Sequence, residues 1–172
     1  MENSSITYWG EIVFDPRNAT KKHDKQKSWK RVAMVMLDGG QELSSYYSWF
    51  IKNRFGFPLN PPLRGAHVTF VNDRIRDFSG KTQKESEDLW DEVKSKYNKK
   101  RVKVNLSLDI RTDGQFWWFP VIEEDRVELQ GIRSELGLGR PYFGMHMTIG
   151  SPNQHNKVYS DYYHNLLKRG VI

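Results

Sequence analysis

Two short stretches of this sequence share one pattern: Ala66-His67-Val68-Thr69-Phe70 and Met145-His146-Met147-Thr148-Ile149. In each stretch a histidine and a threonine alternate with three apolar residues. Because successive side chains of a β-strand point to opposite faces of a sheet, the pattern predicts a strand with its histidine and threonine on one face. The apolar face fits the core, and the other face presents an imidazole and a hydroxyl.

This repetition exceeds chance. The five histidines and the threonines of the chain would produce about 0.17 His-x-Thr triplets at random, whereas the sequence contains two. Each triplet also follows a predicted helix and a loop, so residues 41–71 and 123–150 share the order helix, loop, strand. The plain alternative is that both histidines are only packed or hydrogen-bonded at the surface of a sheet. Their matching places in the two halves of the chain favour a joint role.

Outside these stretches, hydrophobic periodicity predicts both helices and strands. Helices are predicted over residues 41–55, 82–97 and 123–136, with the tail over 158–168 as a candidate for a short one, and strands over residues 7–14, 31–37, 66–71, 104–110, 115–122 and 142–149. Thr82 and Glu85 form a capping box at the start of the second helix, and Gly56 ends the first. The turn at residues 112–114 joins two strands into a predicted hairpin. Interspersed helices and an antiparallel hairpin favour an α+β fold.

Composition limits the class of protein. A length of 172 residues indicates a single domain, and an apolar content of 37% is enough to form a core. The absence of cysteine excludes disulfides, thiolate nucleophiles, zinc fingers and iron–sulfur clusters. No signal peptide or membrane-spanning run is visible, and a formal charge of +6 favours anionic partners. We therefore expect a soluble, cytoplasmic protein with no membrane partner.

Two histidines and two hydroxyls suit the cleavage of a phosphodiester. Imidazole has an unperturbed pKa near neutrality, so a pair of histidines can supply one base and one acid together. Threonine hydroxyls can donate hydrogen bonds to the non-bridging oxygens, where charge gathers in the transition state. This chemistry needs no metal or other cofactor, and the sequence shows no obvious carboxylate cluster of the kind that a two-metal nuclease uses.

The paired His-x-Thr motifs resemble those of the two-histidine phosphoesterase superfamily, whose members include LigT-like RNA ligases and cyclic phosphodiesterases. The resemblance implies a single domain over residues 1–172, made of two lobes with pseudo-twofold symmetry. A pair of antiparallel sheets, flanked by helices, would then enclose a central cleft. His67 and His146 would be the acid/base pair, and Thr69 and Thr148 would bind the phosphate. Which histidine is the acid and which is the base does not follow from the sequence.

Within this superfamily, the compact size and the basic, tryptophan-rich character are most similar to the phage anti-CBASS nucleases. These proteins hydrolyse the cyclic di- and trinucleotide signals of bacterial antiviral defence. The resemblance implies such a substrate, action in the host cytoplasm, and no obligate protein partner. Two alternatives stay open: an enzyme acting on 2′,3′-cyclic phosphates at the ends of short RNA or on 2′,5′-oligoadenylates, and a non-catalytic sponge that binds nucleotides.

Further side chains are candidates for binding the substrate. Aromatic rings can stack on bases, and the candidates are Trp9, Tyr8, Trp117 and Tyr142. Trp117 and its neighbour Trp118 point to opposite faces of a strand, so at most one of the two serves the site. Arg64 and Arg140 each precede one of the motifs and could neutralise phosphates. The other histidines, His23, His155 and His164, lack metal-ligand spacing, and we interpret them as surface residues.

Overall fold

The helices and strands follow the predicted order along the chain, except that a further two-residue strand, Arg111–Thr112, precedes the strand at Trp117–Pro120. A computed structural model describes residues 4–16, 30–56, 58–62, 64–74, 78, 80–113, 116–122, 124, 126–152 and 168–169. The elements are β1 (Ser5–Phe14), β2 (Lys30–Leu37), α1 (Gln41–Phe55), β3 (His67–Arg74), α2 (Gln83–Tyr97), β4 (Arg101–Ser107), β5 (Arg111–Thr112), β6 (Trp117–Pro120), α3 (Arg126–Glu135) and β7 (His146–Gly150). The predicted α+β class is therefore confirmed. Of the predicted helix over residues 158–168, only the last residue is among the described residues. His23, His155 and His164 lie outside the described residues.

The two motif strands lie side by side in the middle of one sheet. Its order is β4-β1-β2-β3-β7-β6-β5, and every neighbouring pair is antiparallel. β3 and β7 meet at a single paired position, Val68 opposite Met147. In the described residues, the expected pair of separate sheets is thus one continuous sheet, because the motif strands pair with each other. Four strands stand on one side of that seam and three on the other.

The structure contains a hairpin at the predicted turn, but its first strand is β5 and not β4. β5 pairs with β6, whereas β4 lies at the far edge of the sheet beside β1. Leu106 of β4 nevertheless forms a bridge with Val121, just after β6. In a flat sheet those strands would stand about 24 Å apart, at about 4.8 Å for each of five steps. The sheet must therefore curve strongly to bring them together.

The three described helices pack on one face of the sheet. Buried side chains of each helix, such as Ile51, Trp90 and Leu129, join the same cluster as Val68 and Met147 of the motif strands. At about 25 cal/mol for each Å² of apolar surface, this burial is the main source of stability. Because side chains alternate along a strand, the histidines and threonines lie on the opposite face. No described helix is long and apolar enough to cross a membrane.

Local signals placed two of the helix ends correctly. The hydroxyl of Thr82 accepts a hydrogen bond from the Glu85 amide, and the Glu85 carboxylate accepts one from the Thr82 amide, so the capping box is present. Gly56 ends α1 in the left-handed conformation, at φ 81°, as expected of a C-terminal glycine. Helix α1 is thereby positioned against β7, and its first turn lies next to Met147.

A buried arginine connects the first motif strand, and the loop that leads to the second, to the helical layer. Arg133 of α3 is only 2% exposed and donates to the carbonyl oxygens of Phe70 and Gly139, at 2.8 and 2.7 Å. Its guanidinium also contacts both carboxylate oxygens of Asp73, at 2.7 and 3.2 Å. Phe70 and Asp73 belong to β3, and Gly139 belongs to the loop that leads to β7. One side chain thus ties α3 to β3 and to the loop before β7.

Candidate active site

The four predicted catalytic side chains lie together on the face of the sheet that is opposite the helices. Since Val68 stands opposite Met147 in an antiparallel pair, His67 stands opposite Thr148 and Thr69 opposite His146. The two histidines are therefore diagonal neighbours, and so are the two threonines. Diagonal neighbours across a strand pair have Cβ atoms roughly 7–8 Å apart or less. This spacing leaves room for one small group between the two imidazoles.

Both imidazoles are held in the same tautomer. Nδ1 of His67 lies 2.8 Å from the carbonyl oxygen of Gly65, and Nδ1 of His146 lies 2.5 Å from that of Gly144. A carbonyl oxygen can only accept a hydrogen bond, so Nδ1 carries the proton in both rings. Nε2 is then the nitrogen that can take up or release a proton.

A glycine before each histidine makes the repeat longer than the His-x-Thr triplet. Each motif reads Gly-x-His-x-Thr, with Gly65 and Gly144 two residues before their histidines. That shared spacing is visible in the sequence. The structure shows what it does: the carbonyl oxygen of each glycine accepts a hydrogen bond from Nδ1 of the histidine. Gly65 has a φ of 69°, in the left-handed region, whereas Gly144 is not among the described residues with a positive φ.

The two glycines provide a matched pair of substitutions. We expect Gly65→Ala to lower the free energy of unfolding by about 1–2 kcal/mol, because a Cβ is strained at positive φ, and to reduce turnover by moving the carbonyl that orients His67. Gly144→Ala meets no atom within 4 Å, and we expect a change below about 0.5 kcal/mol. Chemical denaturation and initial rates measure both effects. Equal behaviour of the two variants would contradict a special requirement at Gly65.

The charges around the two histidines differ. Burial lowers the pKa of His67, the hydrogen bond with Gly65 opposes this, and the positive charges of Arg64 and His146 lower it further. Burial also lowers the pKa of His146, but its hydrogen bond with Gly144 and the negative charge of Asp113 both oppose that shift. His67 therefore has a cationic neighbour that favours its neutral form, whereas His146 has an anionic neighbour that favours its protonated form.

Arg64 and Arg140, which the sequence analysis treated alike, differ in the structure. The Nε of Arg64 is buried and has no hydrogen-bond partner among the described residues. A buried donor without an acceptor is costly, and its charge acts on His67, so this group fits an anion bound beside that histidine. Arg140 is exposed in the loop before β7, and no contact with either histidine is found within the described part of the chain.

Trp118, rather than Trp117, lies on the same face of the sheet as the histidines. The predicted residue Trp117 is buried on the core side, where its ring stacks on Phe55 at 5.9 Å. Trp118 stands opposite Thr148, and its ring centre lies 5.6 Å from that of His146. The pairing of β6 with β7 decides this, and alternation alone could not reveal which of the two tryptophans faces the site.

The other predicted aromatic residues lie in three different environments. Trp9 is on the histidine face and is 53% exposed, as a stacking platform requires. Tyr8 is on the opposite face, where it packs against the core and its hydroxyl donates to Glu42 at 3.2 Å, so it does not share the face of the histidines. Tyr142 is 94% exposed and contacts Phe143 edge to face. It precedes β7, which begins at His146 rather than at residue 142, so strand alternation does not govern its direction.

Within the described residues, no group of three or more histidine, cysteine, aspartate or glutamate side chains is arranged to hold a metal ion. Comparison with protein-family models, with curated proteins and with solved structures finds no match to this chain. The interpretation of the site therefore depends on its own geometry.

Proposed function

We propose that this protein is a phosphodiesterase that cleaves cyclic oligonucleotides by general acid–base catalysis, without a metal. The observation that carries the proposal is the arrangement of His67, Thr148, Thr69 and His146 on one face, with Nε2 of both imidazoles available. Each half of the sheet contributes one histidine and one threonine, in keeping with a bilobal arrangement of the two-histidine phosphoesterase type. In a phage-infected cell, such an activity would remove the signal of CBASS-type defence.

In the proposed reaction His67 is the base and His146 is the acid. Nε2 of His67 takes the proton of a ribose 2′-hydroxyl, whose oxygen attacks the phosphorus. The bond from phosphorus to the 5′-oxygen breaks, and His146 gives its proton to that oxygen. The products are a 2′,3′-cyclic phosphate and a 5′-hydroxyl. The hydroxyls of Thr69 and Thr148 and the guanidinium of Arg64 stabilise the negative charge that builds on the non-bridging oxygens.

Aromatic rings on both sides of the histidines favour a substrate with two bases. Trp118 is on β6 and Trp9 is on β1, each two strands away from His67 on β3. Two strand spacings amount to about 10 Å, so a base can stack on each side of a central phosphodiester. A mononucleotide could contact only one of these rings.

The pH dependence of the rate follows from the neighbouring charges. Because the pKa values of both histidines lie below the usual 6.5, we expect kcat/KM to follow a bell with its optimum on the acid side of 6.5. Arg64→Gln raises the pKa of His67, which moves the low-pH limb to higher pH. Asp113→Asn lowers the pKa of His146, which moves the high-pH limb to lower pH. Rates measured across the pH range test both shifts, and movement of the opposite limb in each variant would exchange the two roles.

The decisive experiment incubates the protein with a panel of substrates in the presence of EDTA. The panel contains cyclic di- and trinucleotides, linear 2′,5′- and 3′,5′-oligoadenylates, and an RNA with a 2′,3′-cyclic phosphate end. We expect the cyclic oligonucleotides to be opened fastest, with products identified by chromatography. Cleavage of RNA ends or of 2′,5′-oligoadenylates alone would replace the proposed substrate. Binding without any product would indicate a sponge and would overturn the enzyme.

A further inference from the structure

A carboxylate lies on the same face as the histidines. Met36 stands opposite His67, and Glu11 stands opposite Met36, so the three side chains form a row across β3, β2 and β1. Trp9 is two residues before Glu11 on β1 and shares its face. Glu11 and Trp9 therefore border the proposed catalytic site at a distance of about two strands.

Glu11 has no ion pair or hydrogen bond with another described residue. The charge of its cross-strand neighbour Arg101 acts on it, but both terminal nitrogens of that guanidinium donate to Asp38, one of them at 2.9 Å, so the hydrogen-bonding positions of the Glu11 carboxylate stay open. Glu11 is half-buried, and its two carboxylate oxygens can each accept hydrogen bonds. A carboxylate repels phosphates, so beside a phosphodiester site it is suited to contact another part of the nucleotide.

We propose that Trp9 and Glu11 form a base subsite that selects guanine. The proposal rests on the proposed phosphodiesterase function and specifies its substrate. Guanine offers two adjacent donors, N1–H and the 2-amino group, which match the two oxygens of a carboxylate. Adenine and cytosine offer one amino donor beside an acceptor, and uracil offers one N–H between two carbonyl oxygens. The ring of Trp9 stacks on the base, which every base allows, and the carboxylate of Glu11 accepts hydrogen bonds from the edge of the base.

The substitution Glu11→Gln tests this selection because it changes the hydrogen-bonding pattern with little change in shape. Glutamine presents one acceptor and one donor, a pattern that fits adenine and opposes guanine. We expect kcat/KM for a guanine cyclic dinucleotide to fall about tenfold to a hundredfold, and that for the adenine cyclic dinucleotide to stay unchanged or to rise. The inosine analogue, which lacks the 2-amino group, should be a poorer substrate than guanine for the wild type.

Two other variants control for general effects. Glu92→Gln makes the same chemical change at an exposed position of α2, and we expect it to leave all rates unchanged. Trp9→Ala should lower kcat/KM for guanine, adenine and uracil substrates by similar factors, because stacking does not distinguish the bases. An equal effect of Glu11→Gln on all substrates, or no effect, would overturn the guanine subsite while leaving the phosphodiesterase intact.

A binding measurement separates the failure of this proposal from the failure of the proposed function. If the wild type cleaves no cyclic oligonucleotide, the proposed function fails, and calorimetric titration with the guanine and adenine cyclic dinucleotides tests the subsite alone. Tighter binding of guanine that is lost in Glu11→Gln supports the subsite. Equal binding of the two by the wild type overturns it.

Discussion

Replacing either His67 or His146 by alanine is expected to abolish turnover of cyclic dinucleotides while leaving their binding nearly unchanged. A positioned acid or base contributes roughly 10²–10⁴ to a rate, so each variant should lose at least two orders of magnitude in kcat. The two side chains act on one bond-breaking step, one at each end of the transferred group. The double variant should therefore be hardly slower than either single one.

The measurement combines single-turnover rates with calorimetric binding and thermal unfolding. Each imidazole donates its Nδ1 hydrogen bond only to the carbonyl of the glycine two residues before it, and we expect the unfolding midpoint of both variants to stay close to that of the wild type. More than about a tenth of the wild-type rate in either variant would contradict a paired acid and base. Loss of binding together with turnover would instead assign the histidines to substrate affinity.

The largest expected effect on stability comes from Arg133→Met. Methionine keeps most of the volume but leaves the Asp73 carboxylate and the carbonyls of Phe70 and Gly139 without the donor that they share. Removing one partner of a buried ion pair costs about 3–5 kcal/mol. Because Asp73 is partly exposed, at 26%, we expect a loss of about 3 kcal/mol.

Urea denaturation of Arg133→Met against the wild type measures this loss. Arg74→Met is the matched control, since Arg74 is an exposed arginine at the end of β3, the strand that carries Asp73, and we expect its change to stay within about 0.5 kcal/mol. A change below about 1 kcal/mol in Arg133→Met would show that water or neighbouring groups replace the guanidinium. Activity should fall with the folded fraction, because Arg133 connects the structure around both motif strands.

The features that could be predicted from the sequence are those that depend on local chemistry. Alternation placed each histidine on the same face as its threonine, and capping signals placed the ends of α1 and α2. A sheet register depends instead on contacts between residues far apart in the chain. For that reason, neither the pairing of β4 with β1 nor the direction of Trp117 could be obtained from periodicity. The Gly-x-His spacing is visible in the sequence, but only the structure shows that the glycine carbonyl accepts a hydrogen bond from Nδ1 of the histidine.

The seam between β3 and β7 also has a consequence for how the proposed active site forms. The two strands are distant in sequence and meet at one paired position. Contacts between distant segments form only after the entropy of closing a long loop has been overcome, so they come late in folding. Neither half of the chain holds both histidines, and a partly folded chain has no complete site. The appearance of activity during refolding should therefore coincide with the last cooperative step, after the helices have formed.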